Sequence, residues 1–580
     1  MLELDLLKEY QNWLDHADAE TQAELLSIIN ERFYRTLEFG TGGLRGAIGA
    51  GTNRINKYVV GQATQGLANQ LIKTNDINKP LRVAIAYDSR NLSPEFARTA
   101  ATVLAANNIK AYLFESLRPT PELSFAVRHL RCAAGIVITA SHNPAKDNGY
   151  KVYGSDGSQI NPETADMILS EINHTDIFHG VKQIDFDTAV HKNRIEMIGK
   201  KIDDAYIRCV KEQSVNPLLA FNKGKDYTLV YTPLHGSGNL PVRRVLKEIG
   251  FTNVIVTPEQ ELPDGDFPTV KSPNPEDKAA FDLAVKYAVK HNADLIIGTD
   301  PDCDRVGVAV KNTNGDYVTL TGNQVGVLLT EYIASQNYDK NNKNDKIKNG
   351  VIVKTIVTTD MVRGICRKYG LEIEEVLTGF KFIGEKIKEY EQNQLNGQNE
   401  NKNFVFGFEE SYGYLKGTYT RDKDAVAASM LIAEMALYYQ TQGLTLFDQM
   451  QKLYEEYGYY KEDLVSVAME GESGLENIKE IMNKMRVAIP ETIGGLKVLA
   501  VRDYKISRRT DMISGDVREI FLPESDVLYF ELDGGNHFIM RPSGTEPKIK
   551  FYLMCKGESH QEVGEKIEGL KKFASSLGYK

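Results

Sequence analysis

The chain has 580 residues, 42% hydrophobic and 26% charged, with a formal net charge of −10. At about 100 to 200 residues per domain this length suggests roughly three to five domains, and the acidic balance argues against nucleic acid as the main partner, because a phosphate backbone needs a basic surface. No run reaches the about 18 apolar residues of a membrane span, the acidic start lacks the basic end and apolar run of a signal peptide, and five scattered cysteines without CxxC spacing fit a reducing cytoplasm.

Residues 1–39 have a helical rhythm ending in ERFYRTLEF, followed by the glycine-rich stretch GTGGLRGAIGAG. LRVAIAY (81–87) is a short apolar run suited to a buried strand, SPEFARTAATVLAANN (93–108) has a helix start signal and helical spacing, and AAGIVITA (133–140) is again strand-like. The alternation predicts a mostly parallel sheet covered by helices. It recurs with YTLVYT (227–232), the helical PVRRVLKEIG, NVIVT (253–257) and ADLIIGT (293–299), and again with GVIVKTIV (350–357) before a helix at MVRGICRKYG. The polar stretches 335–350 and 391–403 read as surface loops. From about 460 the character changes: VLYFELDGGNHFIMR predicts two strands joined at DGG, KIKFYLMC a further strand, and ESHQEVGEKIEGLKKFASSLG (558–578) a closing helix. Three α/β units (1–204, 205–325 and 326–458) and an α+β unit (459–580) are expected.

Five loops carry candidate chemistry. TASHNP (139–144) follows a buried strand, where open α/β sheets hold ligands. Ser141 there is a possible nucleophile, with His142 beside it and Lys151 ten residues on; a turn rich in Ser, Asn and Pro for backbone reasons is the plain alternative. DPDCDR (300–305) sets carboxylates at Asp300, Asp302 and Asp304, which can converge on one hard cation if the loop is extended. An EF-hand is rejected, since its sixth and twelfth positions hold Arg305 and Lys311. Few ligands suit Mg²⁺ sharing a phosphate oxygen, against a merely acidic solvated turn. In RPSGTEPK (541–548), Arg541, Ser543, Gly544 and Thr545 have the composition of a phosphate cradle, although a polar turn has it too. GFEESYG (407–413) offers Glu409 and Ser411 to sugar hydroxyls, or else starts a helix. FGTGGLRG (39–46) lacks the GxGxxG spacing of a dinucleotide site, and its Arg45 is better read as a cation aimed at phosphate. Lys381 in LTGFKFIG is a further candidate cation, and His235 in TPLHGSG reads as structural rather than catalytic.

Taken together, TASHNP, DPDCDR, EES and RPSGTEP, in this order and across residues 45–548, resemble the alpha-D-phosphohexomutase family. FGTGGLRG, TPLHG, PDGDFPTV, LTGFKFIG and RPSGTEPK further resemble its phosphoglucomutase subgroup, related to phosphopentomutases and glucose 1,6-bisphosphate synthase. The resemblance implies four domains around a central cleft, each contributing one loop. It implies Ser141 as the phosphoserine, Asp300, Asp302 and Asp304 as ligands of Mg²⁺ with a phosphoserine oxygen, and Glu409 and Ser411 on sugar hydroxyls. Arg541, Ser543, Gly544 and Thr545 would hold the unreacting phosphate. Lys151, Arg45 and His142 would lie near the transferred phosphoryl, Lys151 as general base and acid, with Lys381 and Arg305 binding substrate. The position four before Lys151, often tyrosine in the family, is Asp147. The implied reaction interconverts glucose 1-phosphate and glucose 6-phosphate through glucose 1,6-bisphosphate. Mannose or pentose phosphates, bisphosphate synthesis and phosphatase action are the alternatives.

Overall fold

The structure, a computed structural model, describes residues 2–18, 21–22, 25, 32–33, 36–37, 43–76, 79–337, 348–397, 402–469, 472–543 and 548–577. Among them four sheets form. In the first, Arg82–Tyr87 pairs in parallel with Lys110–Phe114 and with Ala134–Ile138, and Lys110–Phe114 pairs in parallel with Ile195–Ile198. Ala134–Ile138 then turns back into Asp147–Gly154, which pairs antiparallel with the edge strand Gly43–Ala47. The second sheet repeats the plan. Leu229–Thr232 lies parallel to Val254–Val256 and to Leu295–Thr299, and Leu295–Thr299 turns back into Val306–Lys311. In the third, Gly350–Thr355 is parallel to Glu372–Val376 and Asn403–Glu409, and Asn403–Glu409 turns back into Gly413–Leu415. The fourth is antiparallel throughout its order, from Tyr459–Ala468 to Val517–Glu519.

The strand alternation explains how the units join. In Arg82–Tyr87, Val83 and Ile85 face the first unit's own core, while Ala84 and Ala86 face the other way. That second face opens into a core continuous through the first three units, with Tyr153, Tyr206, Leu246, Leu328, Phe406 and Leu431. The helix Ala425–Gln440 is apolar around its whole circumference because it lies inside this core, against Asn239–Ile249 and Gly322–Gln336. Asp424 caps its start, accepting from the amide of Ala427 at 2.9 Å. The C-terminal sheet has its own core under the closing helix His560–Ser576.

The expected strands 81–87, 133–140, 293–299, 350–357 and 548–555 and the helix at 93–108 are present within a few residues. In the first three sheets half or more of the strand pairings are parallel, as expected, but each sheet also contains an antiparallel return. A connection of a few residues closes a hairpin, whereas a parallel crossover needs a dozen or more, and the candidate loops are of hairpin length. The 391–403 stretch is not loop throughout, since the helix Phe380–Leu395 runs into it. The 335–350 stretch is entered by the helix Gly322–Gln336, and residues 338–347 and 398–401 lie outside the described residues. Of the helices expected over 1–39, Leu2–His16 is described as one helix. Among the described residues, no helix is long and apolar enough to cross a membrane.

Candidate active site

Three of the five candidate loops are hairpin connections between neighbouring antiparallel strands, after Ile138, after Thr299 and after Glu409, and the antiparallel strands Asn536–Pro542 and Lys548–Gly557 flank a fourth. In the first three units that turn carries one non-glycine residue in the left-handed region: Ser141 (φ 53°), Cys303 (φ 53°) and Tyr412 (φ 63°). The conformation is uncommon outside glycine and is held here by the loops' surroundings. EESYG is therefore a hairpin turn, not a helix start.

Ser141 is 1% exposed, and its hydroxyl donates to Asp300 Oδ2 at 2.8 Å. His142 Nδ1 lies 3.3 Å from Ser141 Oγ. The first loop thus abuts the second across a domain boundary. Asp300, Asp302 and Asp304 are buried, and one carboxylate oxygen from each lies within 4.8 Å of the others. Asp300 Oδ1 accepts from the amides of Asp304 (3.1 Å) and Arg305 (2.9 Å). Burial, then the charges of Asp302 and Asp304, push the Asp300 carboxyl well above its usual range. Burial also acts upward on Asp302, but Lys151 outweighs it and holds that carboxyl far below. Lys151 Nζ donates to Asp302 at 2.8 Å and stands 3.6 Å from Asp304. Asp302 Oδ1 and Asp304 Oδ1 are buried and have no hydrogen-bond partner among the described residues. Buried carboxylate oxygens left bare and converging are what a divalent cation would satisfy, so the donor set fits a metal.

Beyond this junction lies a cavity of about 860 Å³ whose wall includes His142, Arg305, Glu409, Ser411, Arg541 and Ser543, residues of all four loops, together with Arg45 and Lys381. Glu409 Oε1 accepts from the amide of Gly379 at 2.9 Å, and burial, opposed by Lys423, pushes its carboxyl up to about 7. Burial pulls Lys381 below its ordinary value, with Glu385 opposing and Arg541 adding to the fall. Arg305 pairs with Glu276; burial works against its charge, and Glu276 with Asp304 more than compensates. Burial, then Arg305 and Arg45, hold His142 well below the usual imidazole value.

Two expectations need correction or limits. Arg45 is not in a loop: it lies on the edge strand Gly43–Ala47, opposite Gly149. Glycine permits that pairing, because a Cβ on Gly43 would come 2.3 Å from the Tyr150 carbonyl oxygen. Gly544 and Thr545 lie outside the described residues, as does most of the FGTGG run before Arg45. His235 is structural, as its sequence context suggests: its ring contacts the Leu262 carbonyl (3.1 Å) and Thr269 Oγ1 (3.0 Å).

Several site residues gave no local signal. Lys423, half-buried, lies 3.2 Å from Asp304 Oδ2 and 3.1 Å from Asp422 Oδ1. Thr120 Oγ1 donates to Asp302 at 3.0 Å. Lys550 lines the cleft beside Arg541. Asp88 and Arg90, in the run YDSR, brace the serine loop. Asp88 accepts from Thr139 Oγ1 at 2.6 Å, and Thr139 Oγ1 accepts the Ser141 amide at 2.7 Å. Asp147 joins this brace: its carbonyl accepts from Arg90 at 2.9 Å and its carboxylate from Asn143 at 3.1 Å.

Comparison with known proteins agrees with this geometry. Residues 36–177, 204–315 and 321–457 match the phosphoglucomutase/phosphomannomutase alpha/beta/alpha domains I, II and III. The chain is 37% identical over 543 residues to a phosphoglucomutase of Staphylococcus aureus strain USA300, covering 93% of each protein. It is 35% identical over 568 residues to one of Staphylococcus epidermidis, covering 98% of this chain and 97% of that one. In fold it resembles the open form of the Paramecium phosphoglucomutase pp63/parafusin (TM-score 0.67, 17% identity, 93% and 96% covered). It also resembles a phosphoglucomutase/phosphomannomutase family protein of Burkholderia thailandensis (TM-score 0.63, 17% identity, 93% and 97% covered). Matched by these three domain models over most of its length, and by relatives 35–37% identical over 93% or more of the chain, the chain belongs to the phosphoglucomutase/phosphomannomutase family of phosphosugar mutases.

Proposed function

We propose that this mutase interconverts glucose 1-phosphate and glucose 6-phosphate, with Ser141 carrying the phosphoryl group between turnovers. The observation that carries this reading is the pairing of two sites in one cleft. Ser141 Oγ meets the acidic loop at one end, and Arg541, Ser543, Lys548 and Lys550 line the other. A hydrolase has little need of the second site; a bisphosphate intermediate needs both. The Staphylococcus relatives named phosphoglucomutase favour glucose over mannose or pentose phosphates.

In the forward half-reaction the phosphoserine P–O bond breaks and a bond forms from phosphorus to O6 of glucose 1-phosphate, whose hydroxyl proton leaves. The resulting glucose 1,6-bisphosphate rebinds reversed, and Ser141 recovers a phosphoryl group from O1. Asp300, Asp302, Asp304 and an oxygen on Ser141 would hold Mg²⁺, which neutralises charge on the transferring group. Arg541 and Ser543, with Gly544 and Thr545, grip whichever phosphate is not reacting, and Glu409 and Ser411 read the sugar hydroxyls. Arg45, Arg305 and Lys381 add positive charge where the phosphate groups lie. Lys151 takes the hydroxyl proton; as found it donates to Asp302 and must leave that contact to act as a base. The position of His142, 3.3 Å from Ser141 Oγ on the cleft wall, supports a second assignment of that proton.

A coupled assay with glucose 1-phosphate, Mg²⁺ and a trace of glucose 1,6-bisphosphate tests the reading. Glucose 6-phosphate is expected from wild type and not from Ser141→Ala or after chelation. Release of free phosphate instead would make the protein a phosphatase. Comparing Lys151→Met with His142→Gln assigns the proton, since the true base loses more kcat.

A further inference from the structure

The run PDGDFPTV, with the residues that follow it to Asp277, crosses from the second unit onto the serine loop of the first. We infer that this segment, acting through Phe267 and Arg90, positions the nucleophile, so that Arg90 and Phe267 are positioning residues for the transfer proposed above. Arg90 is 1% exposed, and its guanidinium closes the loop from beneath. Nη1 donates to the carbonyls of Pro144 (2.9 Å) and Asp147 (2.9 Å), and Nη2 to those of Ser141 (2.5 Å) and Asn143 (2.5 Å). Four inward carbonyls repel one another, and although Pro144 also accepts from the Asp147 amide at 3.1 Å, a planar donor of this shape satisfies all four at once. The bonds span the residue whose φ of 53° aims Oγ at Asp300.

The outer face of the guanidinium is covered by the Phe267 ring, whose centroid lies 5.0 Å from its central carbon. Phe267 is 1% exposed and itself left-handed (φ 46°). Its neighbours pin it from both sides. Asp266 accepts from Asn91 Nδ2 at 2.7 Å, next to Arg90 in the chain. Thr269 is held by His235 (3.0 Å) and Gln260 (3.1 Å) of the second unit. Further on, Ser272 Oγ donates to the His142 carbonyl and Glu276 pairs with Arg305. One segment thus ties the serine loop to the last residue of the acidic loop. This gives buried His235 a purpose: it anchors the segment that seats Phe267.

Misplacing a reacting atom by about 1 Å can cost on the order of 100-fold in rate. The test measures kcat, KM, melting temperature and amide exchange over residues 139–147 in wild type, Arg90→Lys, Phe267→Leu and Phe267→Tyr. Arg90→Lys, with three donors for four carbonyls, is expected to lose about 100-fold in kcat with KM within about twofold. Phe267→Leu is expected to lose about fivefold, with loop exchange faster by a similar factor, and Phe267→Tyr to restore both. Should Arg90→Lys not fold, the contrast between the two Phe267 variants decides alone. Unchanged loop exchange in Phe267→Leu, or a loss that appears in KM alone or scales with melting temperature across all variants, would overturn the inference. The exchange measurement needs no sugar, so it stands or fails separately from the substrate assignment.

Discussion

The first three units and the C-terminal unit are joined to their neighbours by different kinds of contact. Between the first three the contact is one apolar core, from Val137 and Tyr153 through Leu246 and Ile297 to Leu328 and Phe406. The C-terminal sheet meets the third unit over a smaller pad, where Ile356, Val357 and Leu377 touch Tyr504, Tyr529, Ile539 and Tyr552. Around that pad runs a charged web. Lys354 lies 3.0 Å from Asp360 and 3.1 Å from Glu375, Arg502 is 3.6 Å from Glu375, and His537 Nε2 is 3.2 Å from Asp360. Packed cores resist small displacements, while a small rim of polar contacts permits a domain to shift. The difference separates the tasks. In the mechanism proposed above, Ser141, Asp300 and Glu409 sit on the part that must keep sub-ångström geometry, and Arg541 sits on the part that would open to let the intermediate turn over.

The sharpest way to break this division is to compare kinetic losses. Asp302→Ala, in the fused body, is expected to lower kcat by at least about 10³-fold. Arg541→Ala is expected to cost about 10- to 100-fold, chiefly in KM, because a grip made equally in ground and transition states affects binding. Equal kcat losses would show that both parts act in the chemical step alone.

Stability sharpens the same comparison. Leu328→Ala empties a site in the shared core and is expected to cost about 2–5 kcal/mol, spread over all three units as one cooperative transition. Ile567→Ala, under the C-terminal sheet, should lower only that unit's transition, leaving exchange protection around Ser141 intact. Calorimetry with hydrogen exchange distinguishes the two patterns.

Acid gives a smaller effect. At the rim, burial pushes Asp360 and Glu375 upward, but Lys354 and Arg363 outweigh it and hold both below their ordinary values. Within the C-terminal sheet, burial is likewise outweighed for Glu531 by Arg509 and Arg502, which hold it at about 2, against an ordinary 4.5. Carboxyls depressed in the folded state stabilise it fully above their unfolded values and lose that contribution as pH falls through the folded ones. The C-terminal unit should therefore loosen before the fused body as pH drops from about 5 toward about 2, seen as earlier amide exchange in 496–532 than in 134–154.

Much of this was legible in the sequence, for identifiable reasons. AAGIVITA and ADLIIGT are apolar runs bounded by polar loops, so both strands and the site loops after them stood out. The antiparallel return did not, because DNGYKVYG is neither a clean apolar run nor a clean alternation, and its direction depends on loop length. Arg90 and Lys423 were hidden for a different reason. YDSR and RDKD look like solvated turns, and only the fold carries Arg90 under residues 141–147 and Lys423 onto Asp304. Arg45 gave its charge but not its place, since the glycines around it suggest a loop where close strand pairing requires them.

The most direct test of the account is to find where the phosphoryl group resides. Protein incubated with glucose 1,6-bisphosphate and Mg²⁺, then digested and analysed by mass spectrometry, should carry one phosphate, on Ser141, and lose it to added glucose 1-phosphate. Phosphate on another residue, or its loss to water at the same rate with and without sugar, would contradict transfer through this serine.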